Sequence, residues 1–177
     1  MKKKILVEAP VLTQSGYGEH ARFVMRSLRS REDEFDIYLM PLNWGNTSWF
    51  FEDNEEREWI DTTINKTVLY TNQRGQFDIH IHVGIPPELK RKAPICISVN
   101  AGIETTKVKP EWIDILNREC DKVITVSEHS KSSFIDAVYR AKDQMGMEFD
   151  LKLNTPVGVV HFPVKKFENS DTKIDLD

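Results

Sequence analysis

Cysteine is scarce in this chain. Its 177 residues include only Cys96 and Cys120, too few for a disulfide framework, so both are expected to be reduced thiols of a cytoplasmic protein. Long apolar runs are missing too: no stretch of about 18 apolar residues and no secretory leader pattern is found, which argues against a membrane span or export. Excess positive charge is also lacking. The formal net charge is −4, and the basic cluster Lys2, Lys3 and Lys4 is too short to mark a nucleic-acid surface. No repeat or low-complexity tract interrupts the chain. A composition of 40% apolar and 29% charged residues is that of an ordinary globular domain, long enough to bury about 70% of its unfolded surface.

What is present centres on residues 4–28, KILVEAPVLTQSGYGEHARFVMRSL. Ile5, Leu6 and Val7 read as a buried strand, and Ala21, Val24, Met25 and Leu28 fall at i, i+3, i+4 and i+7, the apolar stripe of a helix. Between them lie Ser15, Gly16, Tyr17 and Gly18. Glycines let another group approach the main chain, so strand, glycine loop and helix N-terminus together form a candidate anion cradle. Gly16, Gly18 and Ala21 fit the dinucleotide fingerprint G-x-G-x-x-G/A literally. Residues 10–15 intervene, however, and the next strand ends in Pro41, Leu42 and Asn43 without a carboxylate. A longer loop that touches a phosphate or a sugar fits better than a dinucleotide site. A plain turn and helix start is the alternative.

Along the chain, residues 37–42, 67–70, 77–83, 94–100, 122–126 and 158–162 read as further strands, seven in all with the first. Residues 43–51 mix Trp44, Trp49, Phe50 and Phe51 with Asn, Ser and Thr, a composition that either stacks on a sugar or caps the core. The acidic residues 52–58 read as a solvated helix face. In residues 77–83, Ile79, Ile81 and Val83 face one way, and Asp78, His80 and His82 the other. His80 reads as a hydrogen-bonded core residue, whereas His82 falls near the carboxyl end of its strand, where open α/β sheets place ligands. The scatter of His20, His129 and His161 gives no metal set. Pro110 and Glu111 signal a helix start, and Ser127 with Glu128 another. Phe134, Ile135 and Val138 supply the second helix with a buried stripe. Cys96 is expected inside a central strand and Cys120 nearer a surface turn. Strands alternating with about five helical patterns imply an α/β fold: a Rossmann-like parallel sheet of about seven strands with helices on both faces. All βα loops then share one edge.

Several motifs, in order, resemble those of a known family. Asn100-Ala101-Gly102-Ile103-Glu104-Thr105, Pro110-Glu111-Trp112, Leu116-Asn117 and residues 120–131, CDKVITVSEHSK, are similar to the later part of the N-terminal domain of GT-B glycosyltransferases, especially the family-4 retaining type. Ser15, Gly16, Tyr17 and Gly18 match its glycine loop near the donor diphosphate, and His82 matches a histidine lining the catalytic cleft. The resemblance implies sugar transfer from a nucleotide-sugar donor to an unknown acceptor. His82 would be catalytic, and Trp44, Asn100 and Glu104 would position the acceptor. It implies no separate cofactor and no metal, since the only D-x-D, Asp175-Leu176-Asp177, lies in the polar tail. Residues 1–164 would form this Rossmann-like N-terminal domain, and residues 165–177 a polar tail or the start of an interdomain linker. The partner would be a C-terminal GT-B domain, without which the chain is expected to be inactive. The rival expectation is a non-catalytic Rossmann-like module that binds a nucleotide or sugar phosphate.

Overall fold

A computed structural model describes residues 2–164. In chain order its elements are β1 (Lys3–Ala9), α1 (Gly16–Arg29), β2 (Phe35–Pro41), α2 (Glu55–Asn72), β3 (Ile79–Val83), a short 3-10 turn (Pro86–Glu88) and β4 (Ile95–Asn100). There follow α3 (Pro110–Glu119), β5 (Lys122–Thr125), α4 (Glu128–Ile135), β6 (Tyr139–Lys142), β7 (Glu148–Leu151) and β8 (Val157–Val159). Six strands form one all-parallel sheet in the order β2-β1-β3-β4-β5-β8, and β6 and β7 pair as a separate antiparallel hairpin. The fold is a Rossmann-like α/β domain. Its strand order reverses between β1 and β3, which makes the carboxyl ends of those strands the switch point where such sheets take ligands.

The sheet has six strands and not seven because residues 67–70 belong to α2. Their β-branched composition favours a strand, but three threonines are accommodated in the helix by bonding back to the preceding turn. Thr63, Thr67 and Thr71 donate to the carbonyls of Trp59, Thr63 and Thr67 at 2.7–2.8 Å. Ile60, Thr63 and Thr67 form one buried face at helical spacing. Thr67 Oγ1 also accepts from the N–H of Leu39 at 2.7 Å, so α2 occupies a donor of edge strand β2 that would otherwise be open.

Two apolar clusters flank the sheet. On one face Ile5, Val7, Ile37, Leu39, Ile81 and Val83 pack with Ala21 and Met25 of α1. On the other, Cys96 and Val123 pack with Ile113 and Leu116 of α3 and with Phe134 of α4. The last helix is shorter than the stripe Phe134, Ile135, Val138 suggests. Asp136 caps it, and Ile135 and Val138 are exposed. The chain turns there into the β6–β7 hairpin, closed by Gly146 at φ 81°, which the sequence reading did not anticipate.

Candidate functional site

The loops expected to converge do meet at the carboxyl edge. Ser15 caps α1 by accepting from the N–H of Gly18 at 3.0 Å. Gly16 and Tyr17 open the helix, where N–H groups have no intrahelical acceptor. Neither Gly16 nor Gly18 has a positive φ. Gly18 is required by crowding, because a Cβ there would stand 2.0 Å from the Thr13 carbonyl oxygen, whereas around Gly16 there is nothing within 4 Å. Arg22 fixes the preceding loop by donating to the carbonyls of Val11 and Thr13 at 2.9 and 3.0 Å. The cradle therefore offers the N–H groups of Gly16 and Tyr17, while that of Gly18 is already used.

A cleft of about 390 Å³ opens beside this turn, walled by Gly16, Tyr17, Phe23, Trp44, Ala101 and Phe162. The Tyr17 and Trp44 rings lie 4.5 Å apart, and the Tyr17 hydroxyl accepts from the N–H of Ala101 at 3.2 Å. Burial raises the Tyr17 pKa against that bond. Phe162 stands edge-on to His20 at 4.8 Å. Burial alone pulls His20 down to about 4, so its ring is neutral at pH 7. A second cavity of about 420 Å³ adjoins the first along the sheet, lined by α1 and by Ile81, Ile97, Val99 and Ile124.

Three of the residues singled out from sequence are placed otherwise. Asn100 is fully buried and spent on the fold: its Nδ2 donates to the Gly84 carbonyl at 2.8 Å and its Oδ1 accepts from Gly102 N at 2.6 Å. It ties the loop after β3 to the loop after β4. Glu104 is exposed and does not line the cleft. His82 stands at the carboxyl end of β3 as expected, but its ring is fully enclosed instead of lining an open cleft. Its Cε1 lies 3.0 Å from where a Gly84 Cβ would sit. Trp44 alone of the three acceptor candidates reaches the cleft. Asp175-Leu176-Asp177 and the tail 165–177 lie outside the described residues.

Beneath the switch point runs a buried polar stripe whose extent the sequence reading missed. Glu8, His82 and Ser98 are register partners across β1, β3 and β4, and His80, Cys96 and Asn100 share their face. Parallel strands buried on both faces are usually apolar throughout. Here Glu8 accepts from His80 Nε2 at 3.1 Å and from the Lys92 ammonium, as the core reading of His80 anticipates. Burial raises the Glu8 carboxyl, but His80 and Lys92 outweigh it and hold the group below the usual carboxylate range. Burial lowers His80, but its bonds to Cys96 and Glu8 outweigh that and raise it. His82 is left neutral, pushed down to about 4 mainly by burial. Glu88, at the rim, is raised by burial and by the charge of Glu8. The alternation Glu8-Ala9, His80-Ile81-His82 and Cys96-Ile97-Ser98 is the signal that could have revealed the whole stripe.

No protein-family model matches the chain, and neither a curated protein nor a solved structure does. What the fold and site define is a Rossmann-like α/β domain with a ligand-sized cleft at its switch-point edge. Among the described residues, no group of three or more His, Cys, Asp or Glu side chains is arranged to hold a metal ion, and no helix is long and apolar enough to cross a membrane.

Proposed function

We propose that this domain is the acceptor-side lobe of a glycosyltransferase that uses a nucleotide-sugar donor and acts together with a second, donor-binding lobe. The observation that carries the reading is the first turn of α1. At the switch point, Gly16 and Tyr17 present N–H groups to a cleft whose wall is an aromatic pair, Tyr17 and Trp44. Helix N-terminal amides stabilise negative charge that grows on a departing diphosphate. Flat aromatic faces beside them suit a sugar or an acceptor held for in-line attack. Gly16 lets the diphosphate come close, Tyr17 braces the β4 loop through Ala101, and Trp44 orients the acceptor. The enclosed His82 acts at one remove, supporting the Gly84 turn that borders the cleft. The adjoining apolar cavity along Ile97 and Ile124 is consistent with a second lobe that covers this face.

One observation favours the non-catalytic reading. The carboxylate at the cleft, Glu19, is engaged by Arg22 and Arg26 at 2.9 and 3.0 Å, which leaves it poorly placed as a general base. Incubation of the purified chain with UDP-sugars and GDP-sugars, with and without separately supplied donor-binding lobes, separates the two readings. The glycosyltransferase reading expects sugar transfer only with a donor-binding lobe present. Saturable binding of donor with no turnover under any combination supports the binding module instead.

A further inference from the structure

The two cysteines of this chain are neither separated nor independent. Cys96 lies in β4 and Cys120 at the end of α3, two residues before β5, both in the same apolar cluster. Asp121 N donates to the Cys96 carbonyl at 2.9 Å, and Cys96 N donates to Asp121 Oδ2 at 2.7 Å. With the register Ile97 opposite Lys122, Cys120, extended at the end of α3, lies one position off Cys96 beside β4. Strands about 4.8 Å apart with an offset of about 3.3 Å separate the two Cα atoms by roughly 6 Å, within the range that a disulfide spans. Both side chains are buried in that one cluster between the sheet and α3.

Cys96 also has an activating partner. His80 Nδ1 stands 3.5 Å from Cys96 Sγ while His80 Nε2 bonds Glu8 Oε2 at 3.1 Å. This is a carboxylate–imidazole–thiol relay in which Glu8 stabilises a charged His80 and His80 stabilises a thiolate. Arg91, bonded to Asp121 at 2.9 Å, adds positive charge near both sulfurs. Neighbouring Cys120, His80 and Arg91 together draw the Cys96 thiol below its ordinary value against the effect of burial. The Cys96 contact and burial push Cys120 up. The imidazole 3.5 Å from Cys96 Sγ marks that sulfur as the nucleophile and leaves Cys120 as the resolving thiol.

We propose that Cys96 and Cys120 are a hydroperoxide-responsive dithiol that closes into a disulfide joining β4 to the start of β5. The Cys96 thiolate attacks the terminal oxygen of the hydroperoxide, the O–O bond breaks, and the alcohol or water leaves with the proton held by His80. Cys96 is then a sulfenic acid. Cys120 attacks that sulfur, the S–S bond forms, and the sulfenic oxygen departs as water with the Cys120 proton. The peroxide takes two electrons, one net from each sulfur. Cys96 is 0% and Cys120 7% exposed, so the oxidant reaches Cys96 through local opening of the fold, which favours the smallest hydroperoxide, hydrogen peroxide. This inference is independent of the sugar-transfer reading.

The test exposes reduced protein to hydrogen peroxide, then denatures it, alkylates free thiols and measures intact mass. The monomer should lose two hydrogens and take up no alkylating agent. Cys120→Ser should carry a dimedone-trappable sulfenic acid at Cys96, and Cys96→Ser should react at Cys120 at least about tenfold more slowly. Two alkylated thiols after peroxide treatment, a disulfide between two molecules, or equal reaction of Cys120 in Cys96→Ser would each overturn the proposal. The wild-type mass decides the matter even where a variant fails to fold.

Discussion

His82 and Ser98 face each other across β3 and β4, both fully buried, and among the described residues neither His82 ring nitrogen nor the Ser98 hydroxyl has a hydrogen-bond partner. Buried groups of this kind cost stability for as long as they stay unpaired. Replacing Ser98 by alanine removes one of them without opening a large void. The expected result is an unchanged or higher unfolding midpoint, read by chemical denaturation.

The neutral state of His82 makes the fold acid-sensitive. Its native pKa, about 4, lies below the unfolded value near 6.5. The group therefore contributes stability that is complete above about pH 6.5 and lost as pH falls towards 4. The gap between the two values corresponds to at most about 3.4 kcal/mol. His20 acts in the same direction. Unfolding free energies measured from pH 7 to pH 4 should fall steeply in the wild type and less so in His82→Gln.

Glu8 is the hub of the buried charges, bound by His80 and Lys92. Removing it strands both partners, so Glu8→Ala should cost about 3–5 kcal/mol. Lys92 is one-third exposed and its loss should cost about 1 kcal/mol or less. The lowered Glu8 pKa contributes stability above its unfolded value and loses it as pH falls through the native one. His80, being raised, has the opposite sign and loses its contribution as pH rises. Denaturation of the two variants at pH 7 checks the ranking; equal costs would contradict it.

Gly16 and Gly18 look alike in sequence and differ in the fold. A methyl group at Gly18 meets the Thr13 backbone, and at Gly16 it meets open space. Gly18→Ala should destabilise by about 1–3 kcal/mol. Gly16→Ala should be neutral or stabilising by up to about 1 kcal/mol, because alanine is the better helix residue. Thermal unfolding of the two variants separates the cases.

Much of the fold was legible because strand and helix periods are strong where both faces of a sheet are covered. Six of the seven expected strands fall in the parallel sheet, and Ser127 and Pro110 start helices where their chemistry says they should. The seventh failed at residues 67–70, where β-branched composition competes with a helical face that only α2 as a whole makes visible. The site was less legible. Gly16, Tyr17 and Trp44 meet at the cleft, but whether Asn100 or His82 faces inward or into the cleft depends on residues 84–102, whose path no periodicity encodes. The link between Cys96 and Cys120 likewise needs the β4–β5 register.

The central claim is that the first turn of α1 holds a diphosphate in the cleft beside Trp44. Titration of isotopically labelled protein with UDP and with GDP, followed by amide and indole NMR, tests it most directly. The account predicts saturable shifts of the Gly16 and Tyr17 amides together with the Trp44 indole for at least one nucleotide. Shifts confined to other parts of the chain, or none with either nucleotide, would contradict it.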